Sequence, residues 1–550
     1  MESFYIILVV VLFALAASDL VVGVANDAVN FLNSAVGSKA APKWMIFTMA
    51  AIGVMLGASF SNGMMEVARK GIFHPDMFFF SEIMVIFLAV MITDVVMLDT
   101  FNAFGMPTST TVSVVFELLG ASVAVAVVKI KQAGGSALIE LANYINSEKA
   151  LAIITGILVS VVIAFTVGTF VQYVARLIFT FNYRGPMRYF GAIFGGLAIS
   201  TITYFILVKG ISDSAFAEIK LSTGDTLSNW VNNNIPKVML YSFLGWTVII
   251  QLLKWVFNLK ILKLVVLVGT FALAMAFAGN DLVNFIGVPL AGFNSYNAWS
   301  AAGKPGPDGF SMEALAGEVD TPEYMLLIAG LIMIITLITS KKARMVIATS
   351  VDLSRQSEGT EKFDSSPIAR MIVKSTTQFN KKITRFIPQV ITQKLDSRFV
   401  PFDLTTPEDP EPPAFDKIRA SVNLVVASAL IALGTSLKLP LSTTYVTFMV
   451  AMGTSLADRA WDRDSAVFRV SGVIAVIGGW FLTALVAFSG AAFIAMLISL
   501  GGKFMVFVFI AIAIFMVLRT HFMLKKRNEN NRVEQEDLID VKDPFEVIIS

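Results

Sequence analysis

Two segments of the chain share one pattern, in which a carboxylate stands between two amides. The first reads ANDAVNF at residues 25–31 and the second reads GNDLVNF at residues 279–285. Each lies in a long apolar run, where inserting a central Asp into a membrane costs roughly 2.5–3.5 kcal/mol. Two such costs at equivalent places indicate an internal duplication that builds a functional site.

The two segments offer hard oxygen ligands. On a helix, Asn26 and Asn30 share a face, with Asp27 beside them. The second copy repeats this arrangement with Asn280, Asp281 and Asn284. Carboxylate and amide oxygens suit Na⁺ or a transferable proton, whereas a soft metal would prefer sulfur or imidazole. We therefore expect these six residues to take part in coupling to a metal ion (Na⁺) or a proton. The alternative is that they form polar contacts between helices.

A second motif also occurs twice and places hydroxyl groups after a proline. It reads PTSTT at residues 107–111 and PLSTT at residues 440–444. Proline suits the first turn of a helix, and the free N–H groups there favour an anion. We expect the following hydroxyl groups to bind a tetrahedral oxyanion: Ser109, Thr110, Thr111, Ser442, Thr443 and Thr444. Ordinary helix capping is the alternative.

The spacing of the motifs supports the duplication. Asp27 and Thr110 are 83 residues apart (110 − 27), and Asp281 and Thr443 are 162 apart (443 − 281). The excess of 79 residues (162 − 83) is close to the length of a polar insertion at 341–416.

With the halves in register, Asp27 and Asp281 are expected to lie at the oxyanion site too. Because anion and carboxylates repel each other in a low-dielectric site, a cation must accompany the anion. The motifs thus indicate cation-coupled transport.

The composition is that of a polytopic membrane protein. Of the 550 residues, 56% are hydrophobic and 15% are charged, against about 25% charged in soluble domains. The net charge of +2 gives no basis for a nucleic-acid partner, and the lack of cysteine excludes thiolate sites. We expect neither an enzyme nor a cofactor, because the sequence has no Ser-His-Asp set, His pair or nucleotide loop. An anion channel is also disfavoured, since its pore would use Arg or Lys rings.

Apolar runs of about 20 residues predict an all-α fold with about twelve transmembrane segments. Basic residues in the insertion and in the C-terminal tail favour a cytoplasmic location for both. We expect a multi-pass protein of the plasma (inner) membrane, and a first run that is a membrane helix rather than a cleaved signal peptide. The predicted organisation is a first membrane repeat at 1–209, a polar loop and helix at 210–260, a second repeat at 261–340 and 417–518, the insertion at 341–416 and the tail at 519–550.

Five further acidic residues lie in or beside apolar runs. They are Asp19, Glu82, Asp94, Asp99 and Glu117. Each is a candidate for relaying a proton or Na⁺, and the alternatives are pairing with a buried Lys or Arg and a position at the membrane interface. Asp458 and Arg459, just after the second hydroxyl motif, are interpreted as a local ion pair at the membrane edge.

These motifs resemble those of the inorganic phosphate transporter (PiT, or PHO4) family. The resemblance rests on GVANDAVN at 23–30, on GNDLVNFIG at 279–287 and on the two Ser-Thr-Thr motifs. It implies two inverted repeats, each with a re-entrant helical hairpin, in a homodimer embedded in the lipid bilayer. It also implies symport of inorganic phosphate with Na⁺ or H⁺, with the Asn-Asp and Ser-Thr-Thr residues facing substrate and ions. Sulfate or another tetrahedral oxyanion is the alternative substrate.

Overall fold

The computed structural model describes residues 2–61, 65, 68, 71–104, 108–212, 219–220, 225–317, 322–356, 366–386, 389–400, 413–437, 439–461 and 466–540. Pro107, the proline-rich end of the insertion at 401–412 and the last part of the tail at 541–550 lie outside these residues. Within the described ranges the fold is all-helical, as the sequence predicts.

The helices follow one another along the chain as α1 (Glu2–Gly37), α2 (Lys43–Ser59), α3 (Phe80–Phe104), α4 (Thr110–Gln132), α5 (Ala137–Glu140), α6 (Ser147–Phe179), α7 (Arg184–Ser212), α8 (Leu227–Asn233), α9 (Ile235–Phe257), α10 (Ile261–Ala301), α11 (Glu323–Thr339), α12 (Lys341–Leu353), α13 (Pro367–Phe386), α14 (Gln389–Arg398), α15 (Lys417–Ser436), α16 (Thr443–Ala457) and α17 (Ala466–Asp540).

Eight helices of the described part are long and apolar enough to cross a membrane, or nine if the bent pair α11–α12 forms one span. The chain is therefore an integral membrane protein, but the expected twelve spans are not confirmed. Two of the apolar runs form helices shorter than a bilayer requires, α2 with 17 residues and α16 with 15. Two others, at 467–488 and 491–518, fall in α17 and are not separated where the sequence pattern suggests.

Helix α17 breaks at Gly502, where the backbone turns to φ 61° and ψ −148°. Glycine adopts such positive φ values without steric cost. The two apolar runs meet near Gly490, but there the helix continues. Gly490 packs close to Thr93 of α3, since a Cβ atom there would lie 3.0 Å from the threonine methyl carbon. That glycine therefore serves helix packing, and the turn lies further along the chain.

Helices α1 and α10 form the centre of the molecule and run antiparallel. The rings of Tyr5 and Trp299 lie 5.5 Å apart near one end, and those of Phe31 and Phe277 lie 5.1 Å apart near the other. Between them, Gly23 faces the Phe285 ring so closely that a Cβ atom would lie 2.1 Å from it. This packing places the Asn-Asp segments of the two helices side by side.

Two helix pairs flank this centre. The pair α3–α4 packs on α17, and the pair α15–α16 packs on α6. In each pair a glycine lets the backbones approach: a Cβ atom on Gly120 would lie 2.2 Å from the carbonyl oxygen of Phe488, and one on Gly453 would lie 2.3 Å from that of Phe165. The hydroxyl motifs therefore stand at the tips of two tightly seated helical hairpins, here called hairpin 1 (α3–α4) and hairpin 2 (α15–α16).

Candidate functional site

The two hairpin tips meet the two Asn-Asp segments between α1 and α10. Asp27 is fully buried and accepts hydrogen bonds from Thr110 of hairpin 1 at 2.9 Å and from Thr444 of hairpin 2 at 3.1 Å. A hydroxyl group that donates to a carboxylate forms a charge-assisted hydrogen bond, which is about twice as strong as a neutral one. One carboxylate on α1 thus links both hairpins.

Asp281 has the same arrangement on α10. It is fully buried and accepts hydrogen bonds from Thr111 of hairpin 1, at 3.4 Å, and from Thr443 of hairpin 2. Thr111 is also 3.3 Å from the carbonyl oxygen of Leu441. Each carboxylate therefore takes one threonine from each hairpin, so the four threonines and two aspartates form one connected cluster.

The side chains of Asn30 and Asn284 close this cluster. The Nδ2 group of Asn30 donates to Thr443 at 3.2 Å and to Thr444 at 3.0 Å. The Nδ2 group of Asn284 donates to the two threonines of hairpin 1, at 3.3 and 3.0 Å. Each amide thus contacts the hairpin that follows the other copy of its motif along the chain, as expected if the two halves interlock.

The serines of the motifs have a different role in the structure. The Oγ atom of Ser109 accepts from the backbone N–H of Val112 at 3.2 Å, and that of Ser442 accepts from Tyr445 at 3.1 Å. These are helix N-caps. The oxygen of each serine is thus committed to its own helix, while its hydroxyl hydrogen can still donate.

Asn26 braces hairpin 1. Its Nδ2 group donates to Asn102 Oδ1 at 2.7 Å, and its Oδ1 accepts from the backbone N–H of Thr108 at 2.9 Å. The side chain therefore holds both sides of the tip. The motif predicts an ion-coupling role for Asn26, but these contacts fit a positioning role.

Asn280 braces hairpin 2 in the matching place. Its amide lies 2.8 Å from the Thr435 hydroxyl group, and when its oxygen accepts from Thr435, its NH₂ group lies 3.0 Å from both Leu441 O and Asp281 Oδ1. Sequence reasoning missed Asn102 and Thr435. The sequence feature that could have identified them is their equal spacing from the motifs, since each precedes its capping serine by seven residues (109 − 102 and 442 − 435).

A second acidic cluster lies beside hairpin 1. Asp19, Asp94 and Glu117 are each 0% exposed, and the Ser113 hydroxyl group contacts both Asp94 and Glu117. One hydroxyl hydrogen can donate to only one of the two carboxylates, so the second contact requires either a proton on one of the acids or a bound cation. Both oxygens of Asp19 have no hydrogen-bond partner in the described part of the chain. These three residues are therefore suited to accept a proton or a cation.

The other two acids of the apolar runs, one partly exposed and one buried, form ion pairs. Glu82 pairs with Lys129 at 2.8 Å, and Asp99 pairs with Lys342. For these two residues the structure shows the paired alternative.

The expected local pair of Asp458 and Arg459 is wrong. Asp458 binds Arg176 of α6 at 2.7 Å, whereas Arg459 pairs with Asp396 at 2.8 Å. Arg176 also binds Asp416, the N-cap residue of α15, at 2.6 Å. One buried arginine therefore ties both ends of hairpin 2 to α6.

A small polar pocket extends from the cluster toward the Gly37 end of α1. Its lining includes Asn30, Thr444, Asn33 and Ser350, and its free volume is about 10 Å³, roughly that of one water molecule. Asn33 Nδ2 donates to Ser350 of α12 at 2.8 Å, while its Oδ1 has no partner among the described residues. Helix α12, the start of the polar insertion, thus packs on α1 and covers the cluster from this end.

A family model described as the phosphate transporter family matches residues 23–352. The chain belongs to this family. The matched region includes both aspartates of the cluster and hairpin 1, and it ends within α12, before hairpin 2. Membership identifies the protein as a transporter and agrees with the resemblance of the motifs.

The fold is shared with a solved structure described as "The sodium-dependent phosphate transporter". The likeness has a TM-score of 0.61 and covers 90% of this chain and 99% of that chain, at 16% sequence identity. At this identity the likeness establishes the fold. A comparison with curated proteins gave no match.

Proposed function

We propose that the protein imports inorganic phosphate across the plasma (inner) membrane by symport with Na⁺ or H⁺. The observation that carries the proposal is that Asp27 and Asp281 are each bridged by threonine hydroxyl groups from both hairpins. Membership of the phosphate transporter family supports phosphate as the substrate. The sodium dependence named for the solved neighbour supports Na⁺ as one coupling ion.

The threonine hydroxyl groups can turn from the carboxylates to the oxygens of a phosphate. Hydroxyl and amide donors are neutral, so they hold the anion without a fixed positive charge that would retain it. The N-termini of α4 and α16 add free N–H groups and the positive ends of two helix dipoles. Thr110, Thr111, Thr443 and Thr444 are the proposed substrate donors, with Ser109 and Ser442 able to add their hydroxyl hydrogens.

Two buried carboxylates beside an anion require positive charge. Asp27 and Asp281, with the amide oxygens of Asn30 and Asn284, supply hard oxygen ligands for Na⁺ or acceptors for protons. The cluster of Asp19, Asp94 and Glu117 offers a further cation or proton position on the side of hairpin 1. A coupling cation would therefore bind with phosphate, and each would lower the cost of burying the other.

We also propose that the halves are inverted repeats, with 1–209 as the first and 261–340 plus 417–518 as the second. The antiparallel packing of α1 on α10 supports this. The end of hairpin 1 away from its tip carries the Lys129–Glu82 pair and lies at the start of α1, where the rings of Phe80 and Tyr5 are 4.7 Å apart. The end of hairpin 2 away from its tip carries the Arg176–Asp416 pair and lies at the other end of α1, where Ala414 donates to the Gly37 carbonyl. The two hairpins would then enter the site from opposite faces of the membrane, as alternating access requires.

Uptake of labelled phosphate into proteoliposomes tests the proposal. The purified protein should take up phosphate when an inward Na⁺ or proton gradient is imposed and much less without one. Failure of uptake under both gradients would refute the proposed function. Labelled sulfate should enter more slowly than phosphate. Faster uptake of sulfate would indicate that sulfate, and not phosphate, is the substrate.

The variants Asp27→Asn and Asp281→Asn test the coupling role. Each keeps a side chain of the same shape that can bind the threonines but removes the charge that attracts the cation, so coupled uptake should be abolished while the protein still inserts. Asp76→Asn, at an exposed position before α3, is the matched control and should transport normally. Normal uptake by both site variants would remove the carboxylates from the mechanism.

A further inference from the structure

A pocket of about 730 Å³ opens where α1 and α9 end and where α2, α10 and α15 begin. Its lining includes four lysines, Lys39, Lys260, Lys263 and Lys417, and no acidic residue among those that the structure describes. The rest of the lining is almost entirely apolar. The pocket is separate from the threonine and aspartate cluster and has no role in the proposed transport chemistry.

Three of the lysines, Lys260, Lys263 and Lys417, form a positive cluster. Lys260 and Lys263 lie close enough to Lys417 for their charges to oppose its own. None of these three lysines forms an ion pair with an acidic side chain in the described part of the chain. Like charges held together without a counter-charge cost free energy, so the pocket is suited to a ligand that carries negative charge.

Lys39 reaches the pocket through an unfavourable backbone conformation. Its φ is 47°, in the left-handed region, directly after the end of α1. A residue with a side chain pays roughly 1–2 kcal/mol there relative to the right-handed region, and glycine would not. A strained lysine on the rim of a basic pocket is a reason to look for a ligand that it contacts.

Exposed tryptophans place the pocket at the level of lipid headgroups. Trp44, in the first turn of α2, is 69% exposed, and Trp255, in the last turn of α9, is 72% exposed. Tryptophan concentrates at the boundary between the acyl chains and the headgroups. Phe257, Leu259 and Leu264 line the pocket beside the lysines, so apolar and cationic surfaces meet in one site.

We propose that this pocket binds an anionic phospholipid, with the headgroup phosphate on the four lysines and the acyl chains along the apolar wall. Basic pockets between membrane helices bind such headgroups on the cytoplasmic side. A free phosphate ion would use the lysines but not the apolar wall. Occupation of the site would hold together the ends of α1 and α10, which carry the two aspartates of the cluster, and the start of α15, the first arm of hairpin 2.

Thermal unfolding of the purified full chain in a neutral detergent tests this proposal. Short-chain dioctanoyl phosphatidylglycerol should raise the melting temperature, whereas dioctanoyl phosphatidylcholine and inorganic phosphate should not act through the lysines. In the triple variant Lys39→Gln, Lys260→Gln, Lys263→Gln the apparent affinity for phosphatidylglycerol should fall roughly 100-fold, at about fivefold for each lysine. Lys43→Gln, which removes a neighbouring lysine outside the lining, should bind as the wild type does.

Three results would overturn the proposal. They are equal stabilisation by the two lipids, an unchanged affinity in the triple variant, and stabilisation by inorganic phosphate that disappears in the triple variant. A change in oligomeric state without a change in lipid affinity would assign the pocket to a second copy of the chain. If the triple variant does not fold, Lys39→Gly should, because it relieves the left-handed backbone. Its affinity for phosphatidylglycerol should still fall about fivefold, and unchanged binding would count against the site.

Discussion

At the scale of single residues, the four threonines are the groups that connect everything else in the site. Each one contacts a carboxylate of one half, and each also accepts from Asn30 or Asn284. A threonine hydroxyl group can donate one hydrogen bond and accept two. It can therefore stay bound to the amide while its hydrogen moves from a carboxylate to a substrate oxygen.

Removing one such hydroxyl group should weaken phosphate uptake strongly. Thr110→Val keeps the shape of the side chain but removes the hydroxyl group that would donate to a charged phosphate oxygen, an interaction typically worth about 1.5–3 kcal/mol. We expect kcat/KM for phosphate to fall about 10- to 150-fold in proteoliposomes. Thr110→Ser retains the hydroxyl group and should stay close to the wild type. Equal activity of the valine and serine variants would show that this hydroxyl group is not used.

The chemistry of this site could be predicted from the sequence, because the Asn-Asp and Ser-Thr-Thr motifs are both duplicated. The sequence could not predict which residues of each motif face the ligands and which position a hairpin. Whether Asn26 faces an ion or a hairpin depends on Asn102 and Thr108, which lie about 80 residues away in the chain. Roles of this kind depend on where a neighbouring element ends.

At the scale of elements, each hairpin is held at its tip and along its second arm. The tips are held by Asn26 and Asn280, and the second arms are seated by Gly120 and Gly453. The two glycines lie at the same offset from their capping serines, eleven residues further along (120 − 109 and 453 − 442). This offset is a further repeat signal in the sequence, beyond the two motifs themselves.

Adding a side chain at either of these glycines should displace the hairpin that contains it. A methyl group on Gly120 or Gly453 would lie 2.2 or 2.3 Å from a backbone carbonyl oxygen, which cannot move as a side chain can. Overpacking of this kind typically costs about 1–3 kcal/mol. Gly120→Ala and Gly453→Ala should therefore lower the melting temperature by several degrees and reduce uptake.

Gly156→Ala in α6 is the control for that experiment. A Cβ atom there would meet no atom within 4 Å, and alanine favours a helix over glycine by about 1 kcal/mol. Its melting temperature should equal or exceed that of the wild type. Unchanged stability of the Gly120 and Gly453 variants would show that the close backbone contacts are not required.

The base of hairpin 2 could not be predicted from local sequence. Arg176 binds Asp416 and Asp458, which lie 240 and 282 residues away from it along the chain. A buried arginine is stable only if its charge and its N–H groups are satisfied, and here two carboxylates do this. Local pairing of Asp458 with Arg459 looked simpler only because the distant partner was not visible in the pattern.

At the scale of the whole molecule, the two halves match in their motifs but not in their charges. The acidic cluster beside hairpin 1 has no acidic equivalent in hairpin 2. The positions eight residues after the two capping serines are Glu117 and Val450 (109 + 8 and 442 + 8). The polar side chains that line the pocket toward the Gly37 end are instead amides and hydroxyl groups. A cation position on one side and neutral groups on the other would make cation access differ between the two faces of the cluster.

The opposite orientation of the hairpins can be tested directly, because the chain has no cysteine. Lys131→Cys labels the open end of hairpin 1 and Arg459→Cys labels the open end of hairpin 2. Arg459→Cys loses a partly exposed ion pair, of a kind worth at most about 1 kcal/mol, and a cation–π contact with the Phe399 ring that is worth about as much at an exposed site. Basic residues concentrate near Gly37 and Arg459, so this end should face the cytoplasm.

In right-side-out membranes, an impermeant maleimide should label Lys131→Cys at once and Arg459→Cys only after the membrane is permeabilised. The cysteine-free parent controls for background labelling. If both cysteines react from the same side of intact membranes, the hairpins enter from one face and the halves are not inverted. The site would then have no symmetric pair of gates, and alternating access would have to come from another movement.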